Sequence, residues 1–261
     1  MFNPAHKNGI EHIFSAQFLS NSLAQGNNQA PRGAATNVPG MTGTAYADQV
    51  RYYTVGKDKF FSIYKLYKKN DKRISVDNQG YGAFRRSYTG SDGKTYAFFN
   101  VSPNSVTGFV GDTTPYLNKY WDASQIPNLS QSSANVPIIR YSEVLLIAAE
   151  ADNELNGPTA EAYGYVNQVR TRADIPNLTL GLSQNQFRDS VYLERRLELV
   201  WENQRWFDLI REKDNNGQNG TYLLQALNLV GKTNVQPKHY LYPIPLQEIQ
   251  LNPNLTQNPG W

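Results

Sequence analysis

Residues 194–212 read "ERRLELVWENQRWFDLIRE", in which Arg, Glu and Asp alternate with two Trp, one Phe and five Leu, Val or Ile residues. On a helix, Leu193, Leu197, Val200, Phe207 and Ile210 make one apolar stripe. Leu199, Trp206 and Leu209 make a second on another side, so Trp201 and Trp206 read as core. With two faces packed, several charges must lie in or beside the interior, where an unpaired one costs several kcal/mol. Pairs are therefore expected. Glu202 to Arg205, Arg205 to Asp208 and Asp208 to Arg211 are i, i+3 neighbours within reach of one another. Arg140, Arg170 and Arg172 offer tertiary partners to Glu194, Glu198 and Glu202. The reading is an ion-pair framework, since a glycosidase would hold its two carboxylates in a cleft rather than between packed helices.

Working outward, Ser183 and Gln186 form a capping box and Leu182 can staple onto Phe187, so the long helix starts there. It is expected to run to about Lys213, where "DNNGQNG" (214–220) ends it. Upstream, "RYSEVLLIAAEADNEL" (140–155) holds six consecutive apolar residues, Val144 to Ala149, and reads as a buried helix. Gly157 and Pro158 break it. A second helix over 159–174 carries a stripe of Ala162, Val166, Val169 and Ala173, and Pro176 stops it. Small residues at Ala148, Ala149, Ala162 and Gly164 let the two approach closely, as a hairpin of the tetratricopeptide kind. "TYLLQALNLV" (221–230) is a further short helix before an extended, proline-rich tail that Trp261 caps.

The first half has little helical periodicity. "IFSAQFLS" (13–20) alternates as a strand, 20–56 is a long loop, and "KTYAFFNVS" (94–102) is a second strand. Phe60, Ile63, Tyr64 and Tyr67 mark a short amphipathic helix, and "GDTTPYLNKYWDAS" (111–124) is extended. The expected fold is mainly α. A tetratricopeptide-like helical hairpin and a long helix form the scaffold, with a loop-rich face and a few short strands. The chain reads as one domain, 1–261, loop-rich over 1–136 and helical over 137–261.

Composition removes several function classes. Lys and Arg number 25 against 22 Asp and Glu, and a net charge of +3 over 261 residues does not argue for nucleic acid. The densest basic run, "KLYKKNDKR" (65–73), is interrupted by Asp71 and reads as a solvated face. The absence of Cys excludes disulfides and thiolate zinc sites. His6, His12 and His239 form no i, i+4 pair, so neither metal nor cofactor is expected. "GFVGD" (108–112) lacks phosphate-loop spacing. No stretch approaches the roughly 20 apolar residues of a membrane span, and "MFNPAHKNGI" does not read as a signal peptide. Abundant Tyr, Asn and Gln suit neutral polar ligands.

"IEHIFSAQFLSN" (10–21), "PIIRYSEVLLIAAEADNELNG" (137–157), "AYGYVNQVRTRADIP" (162–176), "YLERRLELVWENQRWFDLIR" (192–211) and "YPIPLQEIQLNPNLTQNPGW" (242–261) follow one another in this order. That order resembles the C-terminal half of the RagB/SusD family. "KNDKR" (69–73) and "NKYWD" (118–122) sit where that family has its Asp-x-Arg and Lys-Tyr elements. The resemblance implies a non-enzymatic nutrient-binding lipoprotein of the Bacteroidetes outer membrane surface, usually for glycans. Its implied partner is a SusC-like TonB-dependent transporter that it covers as a lid. Family members are longer and begin with a signal peptide and a lipidated Cys, so the resemblance implies a C-terminal part, anchored through a lipid on the preceding segment.

A glycan site needs aromatic faces against the apolar side of sugar rings and polar groups for the hydroxyls. The loop 20–56 supplies Tyr46, Tyr52 and Tyr53 among Asn27, Asn28, Gln29, Asp48 and Arg51. "NQGYGAFRRSYTGSDG" (78–93) adds Tyr81, Arg85 and Tyr88, and Trp121 follows the Lys-Tyr element. The competing readings are a tetratricopeptide-type protein-interaction scaffold, a peptide rather than glycan binder, and a carbohydrate-active enzyme, for which no carboxylate pair stands outside the helical framework.

Overall fold

The computed structural model describes residues 2, 4–19, 63–68, 70–74, 84–85, 87–89, 95–97, 116–117, 119, 133–214, 217–218, 222–229 and 231–261. Chain contacts partition into two compact units, Met1–Asn203 and Gln204–Trp261.

In the first unit, strand β1 (His12–Ala16) pairs antiparallel with β6 (Val136–Arg140), His12 opposite Arg140. The reading of "IFSAQFLS" as a strand is right in type, but its Phe14 is exposed rather than inward. Two further antiparallel pairs join β2 (Phe84–Arg85) to β5 (Tyr116–Leu117) and β3 (Ser87–Thr89) to β4 (Thr95–Ala97). The short helix expected near Tyr64 is a single 3-10 turn, Ile63–Leu66, and Tyr67 just after it is fully buried. Phe60 lies outside the described residues.

Helix α1 (Tyr141–Asn156) packs on α2 (Ala160–Arg172) and α3 (Gln184–Glu198). The core between them holds Leu145, Leu146 and Ala149 of α1, Ala162, Tyr163, Val166 and Val169 of α2, and Phe187 and Val191 of α3. Tyr163 meets Phe187 edge-on, centroids 4.8 Å apart. Ala149 and Ala162 carry the close approach of the hairpin, whereas Gly164 is exposed. Local signals set the ends: Thr159 accepts from the Ala162 amide to start α2, and the Ser183/Gln186 capping box starts α3, with Leu182 on the core.

The long helix expected to reach Lys213 stops at Glu198, and α4 (Arg205–Arg211) begins after a turn in which Trp201 and Asn203 have φ of 62° and 61°. The cause is tertiary. The Tyr67 hydroxyl donates to the Leu197 carbonyl at 2.7 Å. The Lys119 ammonium donates to the carbonyls of Glu198 (2.7 Å) and Val200 (2.8 Å), and Arg140 also donates to Glu198 O (2.8 Å). Carbonyls that a continuing helix would offer to its next turn are taken by side chains from far upstream. Both apolar stripes are therefore corrected. Leu197, Leu199 and Val200 are buried, but Leu193, Trp201 and Phe207 are exposed and Trp206 is half-buried.

Within the second unit, α4 packs on α5 (Tyr222–Leu229), and α6 (Leu246–Leu251) lies in the tail. The tail is tied by its amides. Gln257 brackets Ile244 through both backbone groups, and Asn258 donates to Tyr242 O. The Trp261 indole donates to Lys238 O and Leu241 O, with the Lys238 ammonium 4.4 Å from its ring centre.

Candidate functional site

The C-terminal end of α3 is the acidic wall of a buried charge cluster in the first unit. Among the described residues its carboxylates are Glu11, Asp71, Glu194, Glu198 and Glu202 and its cations Arg73, Lys119, Arg140, Arg170 and Arg172, five of each sign. Arg140, 1% exposed, donates from Nε to Glu202 Oε2 at 2.6 Å, from Nη2 to Glu202 Oε1 at 2.8 Å and from Nη1 to Glu198 Oε1 at 2.7 Å. Arg73 Nη1 and Arg170 Nη1 reach the two oxygens of Glu194 at 2.6 and 2.7 Å. Arg172 bridges Glu198 and Glu11. Lys119 donates to Glu202 at 2.6 Å.

Three of these cations match the tertiary partners expected for α3. Asp71, Arg73, Lys119 and Glu11 do not come from that reasoning, and the solvated-face reading of 65–73 is wrong for Asp71 and Arg73, which are 2% and 3% exposed. Arg73 grips Asp71 through Nε and Nη2 (2.9 and 2.7 Å) and so enters the interior already paired. The order of "KNDKR" and "NKYWD" is the signal that could have placed them.

Burial pushes the Glu198 carboxyl up, but Arg140, Arg172 and Arg73 outweigh it and hold the group well below the usual range. Burial opposes the charge on Arg140, yet Glu202 and Glu198 keep it well above the ordinary value. For Lys119 burial prevails over Glu202 and lowers the pKa. Carboxylates bonded to guanidinium groups on several sides are held as ionised acceptors, whereas general acid–base hydrolysis needs a carboxyl that can give and take a proton. The arrangement holds structure.

In the second unit, Arg211 pairs with Asp208 (2.8 Å), and Arg205 reaches Glu212 (3.1 Å), a partner that the i, i+3 spacing does not name. Burial pushes the Glu212 carboxyl up to about 7 against the pull of Arg205.

A surface cleft of about 650 Å³ opens in the first unit between the turn around residue 70 and the end of α2. Lys68, Asn70, Thr171, Asp174, Ile175, Pro176 and Asn177 line it. None of them stands out as a ligand contact from sequence. Of the expected ligand contacts, Tyr46, Tyr52, Tyr53, Tyr81 and Trp121 lie outside the described residues. Arg85 and Tyr88 are placed by backbone alone, Arg85 on β2 opposite Tyr116 and Tyr88 on β3 opposite Tyr96. Among the described residues no group of His, Cys, Asp and Glu could hold a metal, and no helix is long and apolar enough to cross a membrane.

The model of the SusD family matches residues 7–261. This chain belongs to the SusD family. SusD-like protein P25 of Formosa agariphila is 40% identical over 167 residues, 59% of this chain and 30% of that protein. The starch-binding protein SusD of Bacteroides thetaiotaomicron is 25% identical over 165 residues, 62% of this chain and 28% of that protein. A solved SusD homologue of Bacteroides thetaiotaomicron shares the fold with a TM-score of 0.67 at 23% identity, over 96% of this chain and 52% of that one. This SusD-family chain thus spans about half the length, or less, of these relatives.

Proposed function

We propose that this chain takes part in non-catalytic capture of oligosaccharides at the outer membrane surface and in their delivery to a SusC-like TonB-dependent transporter. The observation that carries the reading is the family match over residues 7–261. The name of the starch-binding relative supports a saccharide as cargo. The ion-paired state of the α3 glutamates supports binding over hydrolysis. Recognition is assigned to Tyr46, Tyr52, Tyr53, Tyr81, Arg85, Tyr88 and Trp121, whose rings and guanidinium suit the faces and hydroxyls of sugars.

Isothermal titration against a panel of oligosaccharides tests the reading. A saturable signal is expected, weakened by Ala at Tyr52, Tyr53 or Trp121. Silence toward every glycan, with a signal from peptides, would overturn the choice of cargo. Release of reducing sugar would overturn the non-catalytic role.

A further inference from the structure

The cleft beside the end of α2 has features of a built site. Its two walls are clamped by one buried carboxylate. On one wall, Arg73 binds Glu194, grips Asp71, and the Asp71 amide donates to the Lys68 carbonyl at 3.0 Å, which fixes the turn carrying Lys68 and Asn70. On the other, Arg170 binds the second oxygen of Glu194 and donates to Pro176 O from Nε and Nη2 (2.9 and 2.6 Å). The Ile175 amide donates to Arg170 O (3.1 Å), and the Lys72 amide joins the walls by donating to Ala173 O (2.9 Å). A cleft whose sides are fixed before binding loses little entropy on receiving a ligand.

The lining chemistry narrows the ligand. Asp174 is already paired with Lys72 at 3.4 Å. The Lys68 ammonium and the Asn70 amide have no partner among the described residues, and Asn177 has only a long contact from the Thr171 hydroxyl (3.4 Å). One uncompensated cation thus stands beside two amides and a hydroxyl, over the apolar surface of Ile175 and Pro176. The volume falls within the roughly 300–1,000 Å³ of small-molecule pockets.

We propose that this cleft is a second saccharide subsite that takes a carboxylate-bearing sugar, its acid group on Lys68 and its hydroxyls on Asn70, Asn177 and Thr171. The cleft is lined by residues other than the aromatic ones assigned above, and the proposal rests on the saccharide-binding reading. Lys68 is exposed and outside the charge cluster, so its replacement leaves the fold intact.

The test is a matched pair of probes, cellobiuronic acid and neutral cellobiose, followed by 15N–1H chemical shifts of the whole chain. The acid is expected to shift Lys68, Asn70 and Asn177, and K68M to weaken it roughly tenfold, the loss of one charge-assisted hydrogen bond. N177A should weaken it less. Binding of the acid that survives K68M, equal binding of both sugars at these residues, or full displacement by equimolar sodium acetate overturns the subsite alone. Silence toward both sugars and the whole glycan panel removes the subsite together with the broader function.

Discussion

Replacing Arg140 by Met removes the central cation of the cluster while keeping a side chain of similar length. Glu202 then loses both of its guanidinium contacts and keeps only Lys119, and Glu198 loses one side-chain contact and one at its carbonyl. Five carboxylates would face four cations in a space where Arg140, Glu198 and Glu202 are 1%, 4% and 8% exposed. Breaking a buried pair by deleting one partner costs about 3–5 kcal/mol. With six hydrogen bonds lost, two to Glu202, two to Glu198 and one each to Glu11 and Ser142, the upper half of that range, about 4–5 kcal/mol, is expected. For a chain of this size that is a fall in Tm of roughly 10–15 °C. Urea unfolding monitored by far-UV circular dichroism measures it. The decisive variant is R140M/E202Q, which restores neutrality and should cost at least about 1 kcal/mol less than the sum of the two single changes. If R140M costs under about 1 kcal/mol, or the singles simply add, the cluster is not a coupled framework.

The Glu212 carboxyl, raised from 4.5 to about 7 by burial, gives a stabilising contribution that is whole below pH 4.5 and gone above about 7. E212Q should abolish that decline and, at pH 8, exceed the wild type by about 3 kcal/mol in urea titrations; parallel pH profiles would refute it. Glu198 works in the opposite sense: its depressed pKa stabilises above pH 4.5 and is lost only as pH falls far below, so E198Q should flatten the acid limb of stability between pH 5 and 2. S183A, which removes the capping box of α3, should cost about 1 kcal/mol, and S183G only a few tenths. The register of α3 predicts that L197A costs about 2–5 kcal/mol and L193N under about 0.5; a reversed order in denaturation would place the wrong face inward.

What can be read from sequence is local. The hairpin, the Thr159 and Ser183 starts and the stripe of Ala162, Val166 and Val169 depend on residues within one or two turns, and they appear where periodicity puts them. The end of α3 does not yield to that reasoning, because Tyr67, Lys119 and Arg140 claim its carbonyls from 58 to 130 residues away. Apolar stripes laid out on an unbroken helix are the consequence, and that reading sends Trp201 and Phe207 to the wrong side. Asp71 and Arg73 escape for a related reason. Their run looks basic and hydrophilic, and Glu194 and Glu198, 121 and 125 residues from Arg73, make it an interior. The cleft is invisible in sequence because its polar lining is ordinary until two distant turns are brought together.

Arg73 and Lys119 both end on the same few residues of α3. Both ends of the intervening sequence are therefore fastened to one helix. Doubling the length of such a closed excursion adds only about 0.6 kcal/mol of closure cost. A change in the length of that excursion therefore costs the frame little, so long as its two fastenings remain.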